Sequence, residues 1–465
     1  MRKWRIVILV GICAAALAFA ILDRWLRPLD LDTERRAARA AGLPVTPADM
    51  PLPRYPPGQD AAPNWKALGS LPEAAGDSPT WAAIDAASVH GVPSPSSNPD
   101  LFRFVAEQRH TLGLLHAAAS KPGRTVTRAW GPDPEFSNFL QARQGSKMLR
   151  LESLAIARQG HPVEAIRNQA VGFRIADQVA QDPVIISYLV AVAVENIAMA
   201  GMADIARENP TPAVAAAIRS SIATGAPNYD FVRDVKGETL WTLDSIHRIN
   251  SLADIRAMIN PSATASPSKL ESRPSGFMRY AVQEPAEAIY LRYAARFLRA
   301  AELPRGRREA AMEAVTNEAS RAARRGPAYL IASLCLPTNS RTYFTDDRVR
   351  AQRAVLLAGA DVLAYRAAHG RYPRTLAEAS PNAYDIFSGK PLGYRRVNDG
   401  FVVYSVGPDG KFTGRRGAPL MGQIYFGYPS DILEAARGPL TRKRPTPAGA
   451  VPTPGQMVPA APPHP

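Results

Sequence analysis

Cysteine is nearly absent from this 465-residue chain, which has only Cys13 and Cys335. Two cysteines exclude a disulfide framework, and with no Cys/His pair at ligand spacing they exclude a structural zinc site. A chain of this length buries a core without such staples, so the shortage is compatible with an export compartment. Histidine is scarce as well, with seven at positions 90, 110, 116, 161, 247, 369 and 464. His110 and His116 stand six apart, off the i, i+4 face that a helical zinc site uses. His369 falls at an expected helix C-terminus, where a cation complements the dipole.

Nucleophile and phosphate motifs are missing too. There is no Gly-x-Ser-x-Gly, and Gly389-Lys390 and Gly410-Lys411 lack both the upstream glycine and the following Ser/Thr of a phosphate loop. Ser266-Pro267-Ser268-Lys269 has the spacing of penicillin-recognising enzymes, but it stands in a Ser/Pro-rich loop without their Ser-Asp-Asn and Lys-Thr-Gly companions. Acidic residues are outnumbered, 41 against 56 Lys and Arg, for a net charge of +15. Such a balance suits anionic lipid or cell-wall polymer. Nucleic acid is not expected as a partner, because the cations are scattered over many helices instead of interleaving with aromatics.

Long apolar runs are few, and the first is informative. Met1-Arg2-Lys3-Trp4-Arg5 places three cations ahead of an uncharged apolar run from Ile6 to Leu22, closed by Asp23 and Arg24. This reads as a signal anchor over residues 1–25 with its cationic end in the cytoplasm. Seventeen residues rise roughly 25 Å, so Trp25 and the flanking arginines are expected at the interface. The expected address is therefore the bacterial inner membrane, crossed once through residues 6–22, with the bulk of the chain extracytoplasmic. Ala18-Phe19-Ala20 offers the alternative of cleavage near Ala20 and a secreted product. A lipoprotein is not expected, since Ile12 precedes Cys13 where a small residue is needed.

Residues 26–98 form a proline-rich stalk or wrapping segment. A short charged helix from Asp32 to Ala41 comes first, then nine prolines between 42 and 80, which fix φ and remove donors. Asn64-Trp65-Lys66-Ala67-Leu68 reads as the start of the folded body. Residues 99–337 read as an irregular α-helical array. Stripes such as Leu101, Val105, Leu112 and Leu115, or Leu140, Met148, Leu151 and Leu154, keep helical period. Breakers at Lys121-Pro122-Gly123, Gly160-His161-Pro162, Asp182-Pro183, Asn209-Pro210-Thr211-Pro212 and Gly225-Ala226-Pro227 separate antiparallel helices. Residues 260–283 read as a polar loop, with helices returning at 284–300 and 305–325. The nine prolines from Gly438 onward, without any apolar period, predict a disordered tail over 438–465.

The second apolar run, Val184 to Ala203, is nearly long enough to cross a membrane. Glu195 and Asn196 interrupt it, and an acidic side chain near a bilayer centre costs about 2.5–3.5 kcal/mol. It is expected instead as a central bundle helix in which Glu195 needs an arginine partner. Asp234 and Glu238 share one face of a later helix at i, i+4. With Glu195 they are the candidate catalytic residues, an acidic cluster suited to general acid/base work. Arg233 and Arg248 supply the competing reading, ion pairing.

The segment 348–434 has an order of its own. A helix carrying Arg353, Val355, Leu356, Val362 and Leu363 stops at Gly370, and His-Gly-Arg-Tyr-Pro follows. A short helix around Leu376 leads to Asp385-Ile-Phe-Ser-Gly-Lys-Pro, then to a strand pair at 392–397 and 400–406 about the turn Asn398-Asp399-Gly400. Gly407-Pro408-Asp409-Gly410 closes it. This succession resembles the globular domain of type II secretion major pseudopilins, the G type. The resemblance covers less than a fifth of the chain. It implies an α+β module, and in that family a calcium ion in the loop after the Gly-x-Asp-Gly turn. Here the corresponding oxygen donors are Ser405, Asp409 and Asp431, with Arg415 and Arg416 in the loop. The N-terminus lacks the family's Phe-Thr-Leu-Ile-Glu-type processing site, and the related helix is internal, so filament assembly is not implied. The whole chain, with its anchor, Gly-Leu-Pro-Val-Thr-Pro and proline-rich lead-in, also resembles membrane-anchored bacterial envelope proteins without a known activity.

These readings converge on an α+β protein made of a signal-anchor helix, a large irregular helical array, a pseudopilin-like module and a disordered tail. The expected role is a non-enzymatic interaction or scaffold protein of the bacterial envelope, connected with secretion, that contacts envelope proteins or cell-wall polymer. The alternative is an envelope hydrolase with its acidic site in the helical cleft.

Overall fold

The computed structural model describes residues 30–69, 82–84, 98–127, 130, 137–259, 271–272, 274, 276, 278–336, 345–397, 399–412 and 424–428. The anchor at 6–22, the Ser266–Lys269 motif, Asp431 and the 438–465 tail lie outside them. The described residues are mostly helical with one small antiparallel sheet, an α+β fold.

The first helix, α1 (Leu31–Ala40), starts where the Asp30 carboxylate accepts from the Thr33 amide at 3.2 Å. Its first turn carries Asp32 and Glu34 and its last turn Arg39, both matched to the helix dipole. Next come α2 (Ala62–Gly69), α3 (Pro99–Glu107), α4 (Arg109–Ala119), α5 (Ser137–Arg158), α6 (Pro162–Ala180), α7 (Ile185–Glu208) and α8 (Pro212–Gly225). Each of the five breakers in the sequence falls in a gap or at a helix end. Proline at the first helical position of α6 and α8 gives up only an amide that has no intrahelical partner.

The middle of the chain supplies α9 (Phe231–His247), α10 (Leu252–Ile259), α11 (Glu284–Ala301), α12 (Arg305–Ala322) and α13 (Pro327–Leu334). A π-helical turn, Arg279–Gln283, runs into α11, so the polar loop expected over 260–283 is shorter than the sequence suggested. Gln283 explains the early start, because its side-chain amide donates to the Ile249 carbonyl at 2.8 Å and anchors the turn.

The C-terminal segment opens with α14 (Thr345–His369), which ends at Gly370 with φ +67°, a left-handed conformation that glycine adopts without strain. A short α15 (Leu376–Ala379) precedes β1 (Gly393–Val397), β2 (Gly400–Tyr404) and β3 (Tyr425–Tyr428). The strands lie in that order, all antiparallel, with Val397 opposite Gly400 and Val403 opposite Phe426.

Two cores organise the chain. The larger joins α2 through α8 to α14 and the sheet, taking Trp65, Leu115, Phe173 and Ile205 together with Val355, Phe401 and Phe426. The smaller joins α1, α9, α11, α12 and α13 through Leu43, Leu243, Tyr290, Phe297 and Ile331. The array expected over 99–337 therefore divides between two cores, and the 348–434 module shares one of them. The proline-rich segment wraps. The Ala61 amide donates to the Gly123 carbonyl at 2.9 Å and the Val126 amide to the Pro53 carbonyl at 3.1 Å. Trp65, 1% exposed, donates its indole N–H to Gln178 at 2.8 Å. Leu140, placed by periodicity in a core stripe, is 39% exposed, while its neighbour Phe139 takes the buried position in the first turn of α5.

By length and composition α7 is apolar enough to cross a membrane. It packs between α5, α6, α8, α9 and α14, and thirteen of its residues are buried. Its lack of a polar face follows from having neighbours all round.

Candidate functional site

Glu195 lies near the middle of α7 and is fully buried. Burying a carboxylate is tolerable only when partners replace its water. Arg353 on α14 supplies two of them, donating Nε to Oε1 at 2.5 Å and Nη2 to Oε2 at 2.9 Å. The Tyr229 hydroxyl donates a third bond to Oε2 at 2.7 Å, and Arg353 also donates to the Pro227 carbonyl at 2.8 Å. Burial and the adjacent carboxylate raise the pKa of the Tyr229 hydroxyl well above its ordinary value, so it remains a donor. The expected arginine partner is present, but it comes from the C-terminal segment and not from the helical array.

Glu238 has a different task. Its Oε2 accepts from the Ile185 amide at 3.2 Å, satisfying an orphan donor at the first turn of α7. Ten residues separate Ile185 from Glu195 along that helix, about 15 Å of rise. Glu238 and Glu195 thus stand at separate points of α7 and do not converge on one cleft.

Asp234, one turn before Glu238 on α9, is 4% exposed. Burial pushes its carboxyl well above the usual aspartate range, and the charges of Asp230, Asp182 and Glu238 add to the shift against the opposing Arg233. Tyr188, which feels the charge of Asp234, packs edge-on to Tyr229 with ring centroids 5.3 Å apart. The two arginines nearest in sequence are occupied elsewhere. Arg233 donates to the Gln181 carbonyl at 2.5 Å, and Arg248 pairs with Asp244 at 2.6 Å. Cys335, close enough to feel the charge of Glu238, has its thiol pushed up to about 12 by burial, which leaves almost no thiolate at neutral pH.

In the C-terminal segment the organising residue is Asp385, 1% exposed. Its carboxylate accepts from the Phe387 amide at 3.0 Å, the Ser405 hydroxyl at 2.8 Å and the Val406 amide at 2.8 Å, fastening the turn after α15 to the end of β2. Ser405, a candidate calcium donor, is therefore used internally, while Asp409 is exposed in the turn. Calcium takes six to eight oxygens. Among the described residues no group of three His, Cys, Asp or Glu is arranged to hold a metal.

Sequence reasoning reached Glu195 and its need for an arginine, but missed Tyr229 and Asp385. An aspartate opening a Ser-Gly turn was the available signal for Asp385. Tyr229 had none, because its hydroxyl meets Glu195 across 34 positions. No protein-family model, curated protein or solved structure matches the chain.

Proposed function

We propose that this is a non-enzymatic interaction protein of the bacterial envelope, held in the inner membrane by residues 6–22 with its folded body outside the cytoplasm. The observation that carries the reading is the commitment of Glu195 to Arg353 and Tyr229. A general acid or base must reach a substrate proton, and a carboxylate at zero exposure with three hydrogen bonds reaches none. Glu238 is likewise engaged as a helix cap, so the hydrolase alternative retains only Asp234, which is 4% exposed.

The helix, hairpin and Asp385 turn of the C-terminal segment support a pseudopilin-like module, and its helix is built into the main core instead of projecting as a filament spine. Its partners would be envelope proteins or cell-wall polymer, consistent with the positive charge. Two experiments test the reading. Alkaline phosphatase fused after residue 80 should be active; an inactive but stable fusion refutes export. Tagged full-length protein should retain specific envelope components through purification, and recovery of the protein alone from cross-linked envelopes refutes a scaffold role.

A further inference from the structure

A groove of about 450 Å³ opens between α4, α6 and α8, and none of the acidic residues described above lines it. Arg167 and Arg174 on α6 line one wall. They are seven residues apart, which returns to the same helix face about 10.5 Å further on. Ala170 and Val171 lie between them, short enough to leave the space between the two guanidiniums open. Ser220, Ser221 and Thr224 of α8 line the opposite wall.

Several arginines of the described chain are tied to carboxylates, as Arg150 is to Asp204 and Arg158 to Glu208. Arg167 and Arg174 stand in no salt bridge with a carboxylate among the described residues, although Asp177, one turn from Arg174 on the same helix, feels its charge. The other cationic candidate is already engaged, since His116 holds the Glu152 carboxylate at 3.7 Å. The two guanidiniums face Ser220 and Ser221, while the Thr224 hydroxyl donates to the Ser220 carbonyl at 2.9 Å; a guanidinium fork matches phosphoryl oxygens in bidentate fashion.

The last turns of α4 and α8 also line the groove, and helix C-termini present carbonyls that accept hydrogen bonds. A ligand that satisfies both sets of groups carries a phosphoryl group for the arginines and neutral hydroxyls for the carbonyls. The volume lies within the range of small-molecule sites. We propose that this groove binds a phosphorylated polyhydroxy compound, with Arg167 and Arg174 holding the phosphoryl group. The proposal is independent of the envelope reading, because the groove is the same whether or not the anchor is retained.

The test uses purified full-length protein in mild detergent, with calorimetric titration of hexose 6-phosphate, inorganic phosphate, unphosphorylated hexose and phosphatidylglycerol vesicles. Hexose 6-phosphate should bind saturably and more tightly than inorganic phosphate, while the unphosphorylated sugar should show no heat. R167A or R174A should weaken binding about fivefold and the double variant about twenty-fivefold. Arg103→Ala, remote on α3 and paired with Asp100, should leave it unchanged. Both groove arginines are exposed, so the thermal midpoint should stay at the wild-type value and separate lost binding from lost folding. The proposal is overturned if no soluble phosphate compound saturates the protein, if only vesicles bind, or if R103A weakens binding as much as R167A.

Discussion

Replacing Arg353 by methionine removes three hydrogen bonds and the guanidinium paired with the fully buried carboxylate of Glu195. Tyr229 would remain as its single partner. Breaking a buried pair from one side costs about 3–5 kcal/mol, because the surviving charge has neither partner nor water. The reverse replacement, Glu195→Leu, should cost less, since Arg353 is 17% exposed and keeps the Pro227 carbonyl. Removing both charges should bring the protein back to within about 2 kcal/mol of wild type, the residual being the Tyr229 hydroxyl left without an acceptor. The Glu195→Leu/Arg353→Met cycle should therefore return a coupling energy of about 3–5 kcal/mol, measured from urea midpoints followed by far-ultraviolet circular dichroism. Arg353→Met losing under about 1 kcal/mol, or a double variant losing the sum of the two singles, would refute the claim that this pair clamps α7 to α14.

Three further outcomes follow from the same structure. Asp234→Asn should stabilise the protein at pH 7. The folded carboxyl titrates well above the ordinary aspartate value of 3.8, so wild-type stability falls as pH rises from there through the folded pKa; the advantage of the variant should vanish below about pH 3.8, and a pH-independent difference would contradict it. Glu287 behaves oppositely. Although burial raises its pKa, hydrogen bonds from His247 and Arg35 bring it below the ordinary glutamate value of 4.5, so its contribution is present above that pH and lost as pH falls through the folded pKa; Glu287→Gln should flatten the acid limb of an unfolding profile. Gly237→Ala should lose about 3 kcal/mol or more and express poorly, because an added Cβ would sit 1.5 Å from the Pro183 carbonyl oxygen; a wild-type thermal midpoint would disprove that contact.

Local organisation was legible in the residues. The breakers that separate α4 through α9, the stop at Gly370 and the pairing of β1 with β2 all depend on interactions within a few positions, where proline, glycine and apolar period act directly on the backbone. The need of Glu195 for a cation was legible too, since a carboxylate inside an apolar helix cannot remain unpaired. Misreadings fell at element ends and surfaces. Leu140 kept the period of α5 but lies in its first turn, where Phe139 is the residue buried, and the π-helical turn before α11 is held by Gln283 reaching back 34 positions.

The sequence by itself thus determined most of the helices, their stops, the pair of β1 and β2 and the presence of a buried acid, while β3 was not read from it. Only the tertiary structure decided what those parts do to one another. It selected Arg353 from 158 positions away as the partner of Glu195, turned Glu238 into the cap of another helix, and merged the C-terminal segment with the core of α2 through α8. It also left Arg167 and Arg174 unpaired across from the hydroxyls of α8. The physical reason is range. Backbone preferences are settled among neighbours a few residues apart, whereas a buried charge takes whichever opposite charge packing brings within hydrogen-bond distance.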